Sequence, residues 1–329
     1  YRQLGTSILE ISHRSPEYTA IAESAKSLLR KLLGLDETWH VLFLQGGASL
    51  QFYQVPLNFL PPGGSADYLI TGHWAKRAFQ DAQLVGRVRV AASSEDRQFC
   101  AIPDPSSWDL DPQAAYLHFT SNNTIYGTQF PSEPEVSVPL VCDASSDFLS
   151  RRIDPRRYGL IYAGAQKNVG PAGVTLVLVR EDFLQRRNQP LPPMLDYGVH
   201  AAKLFNTPPV FAVYIVEKVL RWLEGLGGLP AIEAINNRKA ELLYRRIDQS
   251  DFYRGTAEPP SRSKMNVTFR LPSETLEKQF IEEAQQAGLI GLKGHRLVGG
   301  LRASIYNACP IEAVEALISF MDYFEQRYG

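Results

Sequence analysis

Short apolar runs alternate with helical stripes through the first two thirds of this chain, and no other feature limits its fold so sharply. Residues 40–44, 68–71, 88–91, 115–119, 140–142, 160–162 and 175–179 have the length and apolar character of strands. Between them, residues 19–33 put Ile21, Ala25, Leu28, Leu29 and Leu32 on one helical face, with Gly34 placed to end the helix. Further helices are expected over residues 49–59, 74–84 and 210–224. Strands that alternate with helices build an α/β fold, a mostly parallel sheet with helices on both faces. After Gly225-Leu226-Gly227-Gly228, which reads as a hinge or linker, the pattern restarts on a smaller scale. Helices at 232–247, 274–287 and 311–327 and strands at 265–271 and 302–306 form a second α/β unit. The expected division is therefore a large domain over residues 1–225 and a small one over 226–329.

Lys167 sits in the loop between two of the expected strands. Tyr158-Gly159-Leu160-Ile161-Tyr162 precedes it, and Val174-Thr175-Leu176-Val177-Leu178-Val179 follows. Ala163-Gly164-Ala165 lies just before it and Gly170-Pro171-Ala172-Gly173 shortly after. A lysine held on small residues between buried strands is placed, not merely solvated. Asp143 closes another apolar run, Val138-Pro139-Leu140-Val141-Cys142. A lysine and an aspartate at strand ends suit pyridoxal phosphate, the amine forming a Schiff base and the carboxylate pairing with the pyridine nitrogen.

Other candidate groups carry two readings each. Gln45-Gly46-Gly47-Ala48-Ser49 turns a strand into a helix, where free N–H groups and the helix dipole favour a phosphate. The same residues make an ordinary tight turn, and they match neither G-x-G-x-x-G nor G-x-x-x-x-G-K-[ST]. Trp74, following Thr71-Gly72-His73, can stack on a flat ring or serve as a core aromatic. Ser121-Asn122-Asn123-Thr124 offers polar groups at the sheet edge or a plain polar turn. His13-Arg14, His295-Arg296 and Arg302 suit anions, because a guanidinium donates two parallel hydrogen bonds to a carboxylate or phosphate. Their ordinary alternative is a solvated surface, which Gly294, Gly299 and Gly300 around the second pair weaken. Asn206-Thr207-Pro208-Pro209 reads locally as a helix cap followed by first-turn prolines.

Composition removes several classes of function. With 34 basic and 35 acidic residues the net charge is −1, which leaves no basic footprint for nucleic acid or a membrane surface. The three cysteines, Cys100, Cys142 and Cys309, are far apart and imply no disulfide framework, so a reducing compartment, most simply the cytoplasm, is expected. No apolar stretch approaches the roughly 20 residues of a membrane helix. Neither H-E-x-x-H nor C-x-x-C marks a metal site, and G-x-S-x-G is absent. The chain opens on Tyr1-Arg2-Gln3-Leu4-Gly5 without an initiator Met, so the natural N-terminus is expected to lie outside this sequence.

Several runs together resemble the phosphoserine aminotransferase family, class V members of the fold-type I pyridoxal phosphate enzymes. They are Glu10-Ile11-Ser12-His13-Arg14, Gln45-Gly46-Gly47-Ala48-Ser49-Leu50-Gln51-Phe52, Ile161-Tyr162-Ala163-Gly164-Ala165-Gln166-Lys167-Asn168 and Phe205-Asn206-Thr207-Pro208-Pro209. Lys264-Met265-Asn266-Val267, Lys293-Gly294-His295-Arg296 and Gly300-Leu301-Arg302-Ala303-Ser304-Ile305-Tyr306-Asn307-Ala308 complete the set. The order is the family's, and the resemblance spans essentially the whole chain. It is most specific in the lysine run and in the two C-terminal runs.

The resemblance implies a set of roles. Lys167 would carry the cofactor and shuttle the proton, while Asp143 would keep the pyridine nitrogen protonated. Trp74 would stack on the ring and Thr124 would touch it. Ala48, Ser49 and Gln166 would hold the phosphate, with Asn206 and Thr207 completing that cup in the other subunit of a homodimer. His13, Arg14, His295, Arg296 and Arg302 would bind substrate anions, Arg302 taking the α-carboxylate. L-Glutamate and 3-phosphohydroxypyruvate would then exchange an amino group. 4-Phosphohydroxythreonine is a second substrate in the bacterial family. Some family members have an arginine where this chain has Ser49. The family also has a Ser-Gly-Pro-type loop in a segment before the point where Tyr1 begins. An alanine–glyoxylate aminotransferase, an inactive truncated homologue and a cysteine desulfurase are the rival readings. The last needs a nucleophilic cysteine, for which Cys309 is the only late candidate and reads better as a packing residue.

Overall fold

The computed structural model describes residues 5–329, so the opening residues 1–4 lie outside the described part. Helix α1 (Pro16–Leu33) begins earlier than its apolar stripe indicates. Ser15 caps it by accepting a hydrogen bond from the Tyr18 N–H, and Pro16 fits the first turn, where no N–H partner is needed. Gly34 ends it as expected, at φ 65° with its N–H on the Arg30 carbonyl. Strand β1 (Trp39–Leu44), α2 (Gly47–Phe59), β2 (Ala66–Ile70), α3 (His73–Gln83) and β3 (Val88–Ser93) follow in the predicted order. Strand β4 (Leu117–Thr120) then runs into a two-residue ladder, β5 (Asn122–Asn123) with β6 (Thr128–Gln129). Strands β7 (Leu140–Asp143), β8 (Tyr158–Gly164) and β9 (Thr175–Arg180) come next, then the short α4 (Glu181–Leu184) and α5 (Tyr197–Ala202), then α6 (Val210–Gly225).

The main sheet has seven strands in the order β1-β9-β8-β7-β4-β2-β3. Every pair from β8 to β3 is parallel. Strand β9 is antiparallel to both of its neighbours. Only residues 165–174 join β8 to β9, fewer than a parallel crossover requires, so the chain turns straight back. This tight return is what fixes the Lys167 loop at the sheet's edge of strand ends.

Side chains alternate strictly across the sheet. Ile161 and Ala163 of β8, with Leu176 and Leu178 of β9, pack in a core that includes Leu29 of α1 and Val213, Val216 and Leu220 of α6. Leu160 and Tyr162, with Val177 and Val179, face the other way, onto Phe52, Val55 and Phe59 of α2 and Ala78 and Ala82 of α3. Both faces are covered, which is why the central strands read as continuous apolar runs.

The C-terminal part comprises α7 (Gly228–Asp248), β10 (Arg254–Gly255), β11 (Asn266–Arg270), α8 (Glu274–Gln286), β12 (Leu301–Ser304) and α9 (Ile311–Tyr328). Its antiparallel sheet, β10-β11-β12, packs a core of its own around Leu243, Phe269, Phe280, Met321 and Phe324. The Gly225–Gly228 stretch is a sharp corner rather than a linker. Gly225 closes α6, and Gly227, at φ 104°, directly precedes the first residue of α7. Strand β12 stops short of the expected residue 306, because the carbonyls of Ile305 and Tyr306 are taken by the Lys239 ammonium. Among the described residues no helix is long and apolar enough to cross a membrane.

Candidate active site

The carboxyl ends of β1, β2, β4, β7 and β8 lead into the segments the sequence singled out, as expected for a ligand crevice in an open α/β sheet. Lys167 follows β8 and is half-buried, with its Nζ 5.9 Å from the centre of the Trp74 ring. Trp74 stands in the first turn of α3, where its Nε1 is buried and unpartnered. A Cβ on Gly72 would lie 2.5 Å from the Asn123 Oδ1, so glycine is what lets α3 start this close to the β4–β5 turn.

Asp143 ends β7, between Thr120 of β4 and Tyr162 of β8 in register. It is buried, and its Oδ1 accepts the Ser145 N–H at 2.9 Å. Burial pushes its carboxyl up from the ordinary value, against the Ser145 hydrogen bonds and the Lys167 charge, which favour the anion. Burial likewise pushes the Lys167 amine down, opposed by Asp143 and assisted by Arg302. The neutral amine, the form that adds to an aldehyde, is therefore available at lower pH than in a free lysine. On β4, the His118 ring stacks on Tyr68 and lies 2.8 Å from the Tyr162 hydroxyl. Burial lowers the His118 pKa to about 3, which favours the neutral ring at physiological pH.

The start of α2 is uncapped by any side chain, and Gly46 and Gly47 both have positive φ. The Gln166 side chain folds over Gly164, where a Cβ would come within 2.8 Å of its Oε1. At Gly46 (φ 90°) a Cβ would lie 2.6 Å from Leu50 Cβ, inside the same helical turn. Gly46→Ala is thus expected to cost about 1–2 kcal/mol of stability from its backbone conformation alone. It is also expected to weaken cofactor phosphate binding. Thermal melting and a pyridoxal phosphate titration check both effects, and a variant indistinguishable in both removes this turn from the site.

From the C-terminal part, β12 delivers Arg302. One of its terminal N–H groups donates to the Thr124 carbonyl at 3.2 Å, while its Nε is buried and unpartnered. The guanidinium is held in place with a donor to spare. His295 is close enough to feel Arg302, Arg296 and His73, and its pKa is lowered by burial first and by those charges after it. The loop that carries it is dense: a Cβ on Gly294 would meet the Gly299 carbonyl oxygen at 2.0 Å. Arg296 is exposed on that loop.

The remaining expected residues gather elsewhere in the chain. Asn206 donates from Nδ2 to the Gln45 Oε1 at 3.0 Å, and Gln45 Nε2 donates to the Thr207 carbonyl at 2.8 Å. Asn206 is not a helix cap, since α6 begins after Pro209 with no side-chain cap. His13 lines a groove with Tyr18, Lys26, His200, Phe205 and Asn206. Arg14 is exposed. Lys167 does not line that groove.

The sequence reading missed the polar seam that joins the C-terminal part to the main sheet. Asn122 Nδ2 donates to Ser146 Oγ and to Asn266 Oδ1, both at 2.8 Å. Asn266 Nδ2 in turn reaches Ser304 and the Tyr306 hydroxyl. Asp147, buried next to this seam, accepts from Ser121 and from Gln129. Directly after Lys167, Asn168 Oδ1 accepts the Asn307 N–H at 2.9 Å. Clustered small amides after a strand were the only signal available, and they equally spell a turn.

Comparison with known proteins adds an independent finding. A model of the class-V aminotransferase family matches residues 1–317. The phosphoserine aminotransferase of Syntrophobacter fumaroxidans is 56% identical over 99% of this chain and 91% of its own length. The solved structure of a phosphoserine aminotransferase from Bacillus circulans subsp. alkalophilus superposes with a TM-score of 0.97 at 51% identity, covering 100% of this chain and 92% of that one. A phosphoserine aminotransferase from Trichomonas vaginalis, solved with pyridoxal phosphate bound, gives 0.92 at 38% identity, covering 98% and 93%.

Proposed function

This chain belongs to the class-V aminotransferases, and we propose that its reaction is the reversible transfer of the amino group of L-glutamate to 3-phosphohydroxypyruvate, giving O-phospho-L-serine and 2-oxoglutarate. It is a pyridoxal-phosphate-dependent enzyme. The observation that carries the reading is the convergence of Lys167, Asp143 and Trp74 with a part-satisfied Arg302 at one set of strand ends.

The residues present fit the cofactor. A buried carboxylate whose hydrogen bonds come from Ser145, an unpartnered indole N–H and an uncapped helix start are groups that such a ring and phosphate would satisfy. When bound, pyridoxal phosphate supplies a conjugated electron sink for the substrate Cα. Lys167 would hold it covalently, and its amine would carry the proton at the substrate Cα. Asp143 would pair its carboxylate with the ring nitrogen, and Trp74 and Thr124 would lie against the ring. Ala48, Ser49 and Gln166 would hold the phosphate. Arg302 takes the α-carboxylate, which glutamate and phosphoserine share, so one fork serves both substrates in turn. His295 and Arg296 take the second anion.

Asn206 and Thr207 complete the phosphate cup of a second copy, and His13 and Arg14 bind substrate anions. His13 and Asn206 line one groove, apart from Lys167, and this supports a homodimer with shared sites. The large domain is assigned to residues 1–225 and the small one to 226–329, supported by the separate C-terminal core, while Leu229 and Ile232 at the start of α7 pack into the core of the large domain. A cytoplasmic place in serine biosynthesis, and a second activity toward 4-phosphohydroxythreonine in pyridoxine biosynthesis, belong to the same reading. A desulfurase role is disfavoured, because burial pushes the Cys309 thiol up, away from the nucleophilic thiolate.

The direct test supplies phosphoserine and 2-oxoglutarate to the purified protein and measures glutamate. No glutamate from this pair, with turnover of alanine and glyoxylate instead, would overturn the assignment. Arg302→Lys is expected to raise the Michaelis constants of both substrates about tenfold, since a charge-assisted hydrogen bond contributes roughly 1.5–3 kcal/mol and a point charge cannot reproduce the fork. Unchanged constants would take Arg302 out of the carboxylate site.

A further inference from the structure

We propose that Lys239 is a positioning residue, a built-in cation that fixes the turn through which the Lys167 loop and the Arg302 strand are locked together. This rests on the reading that Lys167 carries the cofactor. Lys239 lies on α7, is fully buried, and points its ammonium at three backbone carbonyls. The distances are 3.0 Å to Ile305, 2.8 Å to Tyr306 and 3.0 Å to Cys309. All three N–H donors are thus spent on one turn, and no carboxylate is among the partners. A lysine is rarely buried without a counter-charge, because an ammonium loses its hydration there. Three convergent carbonyl oxygens stand in for that hydration shell, as they would for a bound monovalent cation.

What this cation holds is specific. The turn it grips contains Asn307, whose N–H donates to Asn168 Oδ1 at 2.9 Å and whose Nδ2 donates to the Leu149 carbonyl at 2.9 Å. Asn236, three residues before Lys239 and so on the same helical face, donates to Asn307 Oδ1 at 2.8 Å. Asn168 also donates to the Phe148 carbonyl at 2.7 Å. Helix α7 therefore grips the 305–309 turn at two points, and the turn grips the residue next to Lys167. The same turn leaves β12 just after Arg302, so one anchored segment sets the spacing between the amine and the guanidinium. A core lysine that only stabilised the small sheet would have no such line of contacts.

The test uses the full chain and reads cofactor capture as well as turnover. Lys239→Met keeps most of the length of the side chain and removes its donors. At a temperature well below melting, the apo-variant is expected to develop the visible absorbance of lysine-bound pyridoxal phosphate about tenfold more slowly than the natural chain, and to show a raised Michaelis constant for glutamate. Asn307→Ala is expected to do the same, and the double variant to be no worse than either single one, because both cut the same line of contacts. A lower melting temperature with normal capture and normal Michaelis constant overturns the proposal, as do fully multiplicative effects in the double variant. Should Lys239→Met fail to fold, Lys239→Gln, which keeps two donors without the charge, takes its place in the cycle. If the natural chain itself captures no cofactor, it is the reading of Lys167 that fails. If it does and Lys239→Met matches it, only the role of Lys239 fails.

Discussion

Lys167→Ala is expected to give a folded protein that still binds pyridoxal phosphate but never develops the visible absorbance of a lysine-bound cofactor, and whose transamination falls by about a thousandfold or more. The size follows from two losses at one atom. The covalent anchor goes, and so does the group that carries the proton at Cα, a contribution of roughly 10²–10⁴-fold in general acid–base catalysis. Folding should survive because the lysine is not part of the core. Its neighbours Ala165 and Val169 are buried and remain, and Asn168 keeps its bonds to Phe148 and Asn307. The loss of a positive charge near Asp143 is also expected to leave that carboxyl more easily protonated, since Lys167 now opposes its upward shift. Absorption spectra with and without cofactor, and glutamate half-turnover, measure the prediction. Undiminished turnover in Lys167→Ala would sink the mechanism, whereas a misfolded variant would show in its circular dichroism.

What the sequence disclosed and what it withheld have a common physical basis. Strands β8 and β9 were legible because they are covered on both faces, and such strands must be apolar throughout. The helix end at Gly34 was legible because left-handed backbone narrows the choice of residue. Lys167 stood out because its surroundings conflict with its charge. The β5–β6 ladder was invisible, since two-residue strands have no period to detect. The seam formed by Asn122 with Asn266 and Asn168 with Asn307 was invisible for another reason: its partners lie far apart along the chain, and amides are equally at home in turns. Lys239 falls within the helix expected over residues 232–247, and nothing in its local sequence marks it out. Only the carbonyls of a turn some 70 residues away reveal why it is buried there. Likewise Gly225–Gly228 read as a linker because glycine signals both looseness and tight corners, and only the positive φ at Gly227 and Gly228 distinguishes the two.

Asp143→Asn should separate the role of charge from the role of shape. The amide is nearly isosteric and can still accept the Ser145 N–H, but it cannot be an anion. An opposite charge within contact range shifts a pKa by roughly 1–3 units, so losing it lowers the protonated fraction of the ring nitrogen by about ten- to a thousandfold wherever that pKa falls below the working pH. Turnover is expected to fall by about a hundredfold near neutral pH and to recover partly as the pH is lowered, because external protons then replace the induced one. Stability should move the other way. The folded-state pKa of Asp143 is raised by burial, so above that pKa the folded chain carries a penalty for the ionised carboxylate that the unfolded chain does not. Replacing the carboxylate removes the penalty, and the cofactor-free variant should melt no lower than the natural chain at neutral pH. A variant with lost activity and a lower melting temperature would mean that Asp143 matters for packing. A variant with full activity and an unshifted pH profile would mean that the ring nitrogen needs no charge partner here. The expected pairing, lost turnover with intact or improved stability, is what a buried charge kept for chemistry rather than for folding should show.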